Sequence, residues 1–348
     1  MSLPESKNQI VLISGVNGYI ASRTAEAFLD AGYHVRGTVR SKSSADALLK
    51  VLERFVTAGR VEIVEVKDIV IPGAFDEAVK GVHAVAHMAS PISLSFDDPE
   101  PVIRTAVEGT LSILNSALMH GVPTLKSVVL TSSIAAIIGS KSPPYTYTEA
   151  DWNDVSEDLV SKLGKESPSA HIYLASKTSG EKAFWKFHDE KNPPFTMTAI
   201  NPVFVGGPPL VVPETPDKIH ETVVSVYTVL SGKPIPPPIG GSGSFVDVRD
   251  VAALMVFGVS HPEKANLQRY IACGGKGNGQ AIADILREKY KDRKIEVGTP
   301  GEGYEPGWGY NKDGIVVDGS KAVRDTGRQW IPFDKGVLDA AKSFEKFL

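Results

Sequence analysis

Cysteine is nearly missing from this chain: Cys273 is the single one in 348 residues. No internal disulfide can form, which fits a reducing compartment, and with no paired histidine apparent Cys273 reads as a small packed hydrophobe. Positive charge is not in surplus. The 37 Lys and Arg against 41 Asp and Glu leave a formal net charge of −4, so bulk binding to nucleic acid or to an anionic membrane is not expected, and any anion site must be local. No apolar run is long enough to span a bilayer. The first residues, Met1 to Lys7, place polar groups and Pro4 where a signal peptide would build its apolar core. The expectation is a cytoplasmic protein, monomeric or homodimeric, with no nucleic acid and no membrane as partner. His83 and His87 lie four apart, yet no nearby Cys or third His completes a ligand set, so no metal is expected.

What is present is an alternation of short apolar runs with helical patterns. Ile10 to Ser14, His34 to Val39, Val61 to Val66, Ala84 to Met88 and Ser127 to Thr131 read as strands. Ala21 to Ala31, Ala45 to Ala58 and Val102 to His120 read as helices between them. Such alternation predicts an α/β fold with a Rossmann-type, doubly wound parallel sheet, which binds ligands at the carboxyl ends of its strands. Past Pro202 the texture changes. Gly206 to Pro209, Pro234 to Pro238, Gly240 to Gly243 and Gly274 to Gly279 read as loops of a smaller, irregular α+β lobe. Phe245 to Arg249 reads as a strand leading into a helix at Asp250. The expected division is a dinucleotide-binding domain over 1–202 and a mainly substrate-binding lobe over 203–348, with a segment near 243–260 returning to the first. Asp247, Arg249 and Asp250 read as a local ion-pair network holding the two lobes together.

The first strand runs into Gly15-Val16-Asn17-Gly18-Tyr19-Ile20-Ala21. Gly15 permits a tight turn, Gly18 lets backbone approach a pyrophosphate, and small Ala21 lets helix pack on strand. A glycine triplet alone is weak, but here it stands between a strand and a helix. A second shortage then matters: no Asp or Glu occurs between Tyr33 and Ala45. A site for NAD places an acid near there, on the ribose 2′-hydroxyl. Val39 is followed instead by Arg40, which can pair with a 2′-phosphate, with Lys42 a weaker second. The expected cofactor is NADPH/NADP+. Asp68 and Ile69 either flank an adenine or cap the next helix, and Ala89 and Ser90 are small enough for a cofactor to pass.

Tyr173 and Lys177 lie four apart, on one face of a helix. A free tyrosine has a pKa of about 10, and a neighbouring ammonium lowers it by stabilising the phenolate. A second such pair, Tyr290 and Lys294, falls in the basic stretch Lys289 to Lys294 and reads as a solvated helix end; with ten tyrosines, roughly one match is expected by chance. Context favours the first. Leu130-Thr131-Ser132-Ser133 ends the fifth strand, where a serine hydroxyl can donate to a substrate carbonyl. Ser133 is the candidate and Ser132 the alternative, because strand alternation lets one of them face the cleft.

These segments resemble the extended branch of the short-chain dehydrogenase/reductase superfamily, in particular dihydroflavonol reductases and fungal NADPH-dependent aldehyde, methylglyoxal and ketone reductases. The likeness runs through Gly15 to Ala21, Gly37 to Arg40, Ala86 to Ser90, Gly109 to Leu111, Thr131 to Ser133 and Tyr173 to Lys177. It continues through Asn201 to Gly206 and Phe245 to Ala252. The resemblance implies that Ser133, Tyr173 and Lys177 are catalytic, that Gly15, Asn17, Gly18, Tyr19 and Ile20 hold the cofactor, that Thr131 lines it, and that Pro202 to Val205 run beside its nicotinamide. One departure stands out: where many members carry an Asn on the helix before Gly-Thr, this chain reads Thr105-Ala106-Val107-Glu108-Gly109-Thr110.

The function expected is reduction of a small-molecule carbonyl, an aldehyde or ketone, to an alcohol. Ile92, Phe96, Ile134, Tyr145, Phe204 and Val205 are candidate pocket residues, and their character implies a substrate with an apolar part. A sugar-nucleotide epimerase or dehydratase would favour an acid near Val39. A non-catalytic dinucleotide sensor would not need Ser133, Tyr173 and Lys177 together.

Overall fold

A computed structural model describes residues 8–90, 96–237 and 243–348. In chain order the strands are β1 (Ile10–Ser14), β2 (His34–Val39), β3 (Val61–Glu65), β4 (Ala84–His87), β5 (Ser127–Thr131) and β6 (Tyr145–Tyr147). They continue as β7 (Thr196–Pro202), β8 (Phe204–Gly206), β9 (Ser244–Asp247), β10 (Gln268–Ala272), β11 (Gly275–Lys276) and β12 (Ile315–Val317). Seven of them form one sheet in the order β10-β7-β5-β4-β1-β2-β3, and its pairs from β3 across to β7 are parallel. This is the doubly wound Rossmann-type architecture. Chain order reverses direction between β1 and β4, so the carboxyl ends of these two strands form the switch point where such sheets take ligands.

Two compact units divide the chain. The first holds Met1–Ser140, Glu149–Asn201 and Ala252–Tyr270; the second holds Lys141–Thr148, Pro202–Val251 and Ile271–Leu348. Within the first, β1, β4 and β5 are buried along nearly their whole length and mostly apolar, because both faces of the sheet are covered. Leu12, Val85 and Val128 meet Phe75, Val79 and Val82 on one side, with Ile113, Leu114, Phe184 and Phe187 completing the cluster. The helix Pro99–Ser116 opens one turn earlier than the apolar pattern implies. Asp98 caps it, accepting from the Glu100 N–H at 3.2 Å, with Pro99 in the first turn. The expected helix over 45–58 is broken into Asp46–Val51 and Glu53–Thr57 around Leu52 (φ −91°, ψ 16°). Leu48, Leu52 and Phe55 all turn inward there.

Between β3 and β4 the chain makes turns rather than a helix. Asp68 therefore caps no helix; its Oδ1 accepts from the Val70 N–H at 3.1 Å in a local turn.

The second unit carries a three-stranded sheet, β11-β9-β8, and a parallel pair, β12-β6. Three expectations are corrected there. The strand read over Phe245 to Arg249 ends at Asp247 and the helix begins at Val248, because Asp247 Oδ1 accepts from the Arg249 N–H at 2.9 Å and turns the chain. Gly274 to Gly279 is not all loop. It holds β11, antiparallel to β9, and Asn278 caps the helix Gly279–Lys289 by accepting from the Ala281 N–H. Within this unit Arg249 makes a fork of two bonds to Asp247, each 2.8 Å, and a 2.7 Å bond to Asp339. Asp250 is not part of that fork; its carboxylate accepts from the Ile331 N–H at 2.7 Å.

Candidate active site

The glycine turn sits directly on the end of β1. Gly15 has φ +66°, a conformation that favours glycine, and a Cβ there would come within 3.3 Å of Ala89 at the end of β4. Gly18 caps the helix Tyr19–Asp30 with no side chain over the helix N-terminus and no acid in the first turn. A helix start with no acid in its first turn suits an anion, because the helix dipole places positive charge there. Asn17, exposed, donates from Nδ2 to the Ser44 carbonyl at 3.3 Å, tying the turn to the loop after β2. Arg40 stands exposed at the start of that loop, with no acid beside it before Asp46. A glycine turn that a Cβ would crowd and a helix start with no acid in its first turn fit the phosphates of a dinucleotide.

At the end of β4 a hydroxyl does work that the sequence did not reveal. Ser14 Oγ accepts from the N–H groups of Met88 (2.8 Å) and Ala89 (2.9 Å) and lies 2.9 Å from His87 Nδ1. With two donors already on it, the hydroxyl gives its own hydrogen to Nδ1. These bonds stop β4 at His87, one residue earlier than expected, and fix the turn carrying Ala89 and Ser90. His87 is fully buried and its imidazole is pushed down to about 4, by desolvation first and by the nearby Lys177 second.

The helix Ser169–Lys191 presents Tyr173 and Lys177 one turn apart, with the Lys177 ammonium 5.7 Å from the centre of the Tyr173 ring. Lys177 is buried and donates to Ser90 Oγ at 2.9 Å. Burial lowers its pKa from 10.5 to about 8. Tyr173 is half-buried. The other pair behaves differently. Tyr290 ends the helix Gly279–Lys289 and donates to Glu345 at 2.8 Å, and burial together with that carboxylate pushes its phenol up to about 12.

At the end of β5 the two serines part company. Ser132 Oγ donates to Glu181 at 2.5 Å and is committed inward. Ser133 Oγ accepts from the Ala135 N–H at 3.1 Å, capping a short turn, and keeps its own hydrogen to donate. Thr131 sends its hydroxyl to Met255 Sδ at 3.3 Å. Glu181, one turn beyond Lys177, was not read from the sequence. Besides Ser132 it takes Asn201 Nδ2 (2.6 Å), Arg269 Nε (2.6 Å) and Trp185 Nε1 (3.1 Å). The one signal for it was its spacing, four residues past Lys177 and four before Trp185. A cavity of about 20 Å³ lies between Ser90, Lys177, Thr131, Ser132 and Glu181.

The other expected site residues are placed by their own elements. Ile69 is half-buried and its side chain rests where a Cβ on Gly109 would be. Tyr19 and Ile20 open the first helix. Pro202 ends β7, and Val205 is buried in β8. Of the pocket candidates, Phe96 packs with Val102 and Ile172, Ile134 is half-buried after Ser133, and Tyr145 stacks edge-on with Tyr147. Phe204 borders an apolar cavity of about 60 Å³ in the second unit, with Val223, Val226, Phe245 and Ile282. Ile92 lies outside the described residues. Cys273 is buried, its thiol beside Tyr310 and pushed up to about 11 by burial. Among the described residues no group of three His, Cys, Asp or Glu is arranged to hold a metal, and no helix is long and apolar enough to cross a membrane.

A parallel sheet with a glycine turn at its switch point, and a Tyr-Lys helix turn whose lysine is buried, define a dinucleotide-dependent enzyme scaffold. The chain belongs to the NAD dependent epimerase/dehydratase family, whose sequence pattern matches residues 11–274. A putative NADPH-dependent methylglyoxal reductase of Candida albicans is 32% identical over 348 residues, 96% of this chain and 98% of that protein. Aldehyde reductase 2 of Sporidiobolus salmonicolor is 41% identical over 209 residues, 59% of each chain. The crystal structure of a yeast methylglyoxal/isovaleraldehyde reductase complexed with NADPH matches with a TM-score of 0.83 at 29% identity, covering 97% of this chain and 99% of that one.

Proposed function

We propose that this chain is an NADPH-dependent carbonyl reductase that converts an aldehyde or ketone with an apolar part to the alcohol. The observation that carries the reading is the buried Lys177 ammonium, tethered to Ser90 and one helical turn from the Tyr173 phenol. The relatives named as NADPH-dependent or aldehyde reductases support it. When bound, NADPH supplies the hydride. Gly15, Asn17, Gly18, Tyr19 and Ile20 would hold its pyrophosphate and Arg40 its 2′-phosphate. Asp68 and Ile69 would flank the adenine, Ala89, Ser90 and Thr131 would wall the cleft, and Pro202 and Val205 would run beside the nicotinamide.

The protein's own part is alignment and proton supply. Ser133 and Tyr173 donate hydrogen bonds to the carbonyl oxygen, polarising the bond. Tyr173 then gives its proton to that oxygen, and the Lys177 ammonium stabilises the phenolate left behind. Ser133 takes this role because Ser132 already donates to Glu181. The missing acid after β2 weighs against an epimerase that keeps NAD bound.

The test is consumption of NADPH and of NADH with methylglyoxal, isovaleraldehyde and an aryl ketone, for the parent, Arg40→Ala and Tyr173→Phe. Turnover with NADPH is expected. Arg40→Ala should raise KM for NADPH by about 10- to 100-fold, the worth of a charged hydrogen bond. Tyr173→Phe should lower kcat by about 100-fold or more. Undiminished turnover in Tyr173→Phe, or no oxidation of either cofactor, would sink the reading.

A further inference from the structure

Tyr173, Lys177, Glu181 and Trp185 form one ridge of the helix Ser169–Lys191, each four residues from the last. The first two face the reacting atoms in the reading above. The third is a fully buried carboxylate that accepts five hydrogen bonds from four residues: Ser132, Asn201, Trp185 and, twice, Arg269. Arg269 is itself held, donating to the Glu149 and Asp151 carbonyls at 2.8 and 2.6 Å and lying 3.9 Å over the Trp152 ring. Glu181 therefore ties the helix to the ends of β5, β7 and β10.

Two of those ties end on Ser133. Ser132, its neighbour in the chain, is held through its side chain. Asn201 gives its amide hydrogens both to Glu181 and to the Ser133 carbonyl, the latter at 3.1 Å. Turning that amide over would set its oxygen against a carboxylate and a carbonyl, so its orientation is fixed by Glu181. The arrangement leaves Asn201 Oδ1 as the one buried side-chain polar atom without a hydrogen-bond partner among the described residues. Such an atom costs stability, and what it secures is a backbone clamp on Ser133.

We propose that Glu181 is a positioning residue: paired with Arg269, it sets the Ser133 hydroxyl against Tyr173 by gripping Ser132 and, through Asn201, the Ser133 backbone. The proposal rests on the reductase reading. Glu181 touches no reacting atom. It converts the spacing of the helix that carries the proton donor into the spacing of the strand end that carries the second hydrogen bond.

The experiment is a double-mutant cycle with Glu181→Gln and Ser133→Ala, reading kcat with a carbonyl from the panel and Kd for NADPH by fluorescence. Glutamine keeps the shape but brings an N–H₂ into a ring of donors. Glu181→Gln alone should lower kcat by about 30-fold with Kd for NADPH unchanged. Ser133→Ala should cost about 100-fold in the parent, the worth of one such donor, and less than about 10-fold in Glu181→Gln, because the two act through one contact. Equal cost in both backgrounds, or a Kd that weakens in step with kcat, overturns the proposal and leaves the reductase reading standing. No turnover by the parent overturns both. Should Glu181→Gln fail to fold, Ser132→Ala decides, since it leaves the ion pair whole. A fall in kcat of about threefold or more at unchanged Kd supports the clamp, and parental kcat overturns it.

Discussion

Lys177 shows what the candidate site costs. An ammonium pushed from 10.5 to about 8 by burial binds its proton less tightly folded than unfolded. Between those values the unfolded chain holds more protons, so stability rises with pH from about 8 to 10.5, and the full penalty stands below 8. A shift of that size is worth about 3 kcal/mol. Lys177→Met should thus raise the unfolding free energy at pH 7 by about 1–3 kcal/mol, with the gain fading by pH 10.5, while removing turnover. Urea unfolding at pH 7 and 10 checks the first half. In the parent, kcat/KM for carbonyl reduction should fall as pH passes about 8, where the ammonium is lost. The Tyr173–Lys177 pair was legible because its spacing is local. Ser132 and Ser133 could not be separated by alternation alone; what separates them is Glu181, 49 residues further on. Nor could Glu181 be read, since Arg269 lies 88 residues beyond it and no local pattern joins them.

Among the elements, β1, β2 and β5 have the limits that their apolar runs imply, because buried parallel strands are marked residue by residue by their neighbours on both faces. Strands β6 and β12 were not legible. Each is three residues long, and they pair across the chain from residues 148 to 314, with Ile315 opposite Tyr145. The glycine turn depends on more than its own glycines. Val16 donates to the Thr38 carbonyl at 3.1 Å, and its side chain occupies the space above Gly37, where an added Cβ would come within 2.4 Å of Cγ1. Gly37→Ala should therefore destabilise by about 1–3 kcal/mol and weaken NADPH binding by shifting the turn. Val16→Ala in the same chain should recover most of both. Thermal unfolding and NADPH titration of the two single variants and the double would show this, and additive losses would contradict it.

For the whole molecule, the threading of the chain decides what can be separated. The division read from the sequence cuts at residue 202 and returns a segment near 243–260; the passage that belongs to the first unit is Ala252–Tyr270. Met255 meets the Thr131 hydroxyl and the Gly258 carbonyl accepts from Ser127. Strand β10 lies beside β7 at the end of the sheet. A fragment of residues 1–202 would carry β7, buried along nearly all its length, as a bare edge, and open edges of that kind pair with other chains. We expect that fragment to aggregate or to bind a hydrophobic dye, as size-exclusion chromatography and dye fluorescence would show. A monomeric fragment that unfolds cooperatively would refute this.

The same threading constrains anyone who would recombine this protein with its relatives. The second unit is written in three separate passages, Lys141–Thr148, Pro202–Val251 and Ile271–Leu348, and the shortest supplies β6, the strand that pairs with β12. A chimera made with one crossover anywhere between Tyr147 and Ile315 would mix the two parents inside a single strand pair. A clean exchange of the second unit needs five splice points, and the eight-residue passage has to travel with the other two.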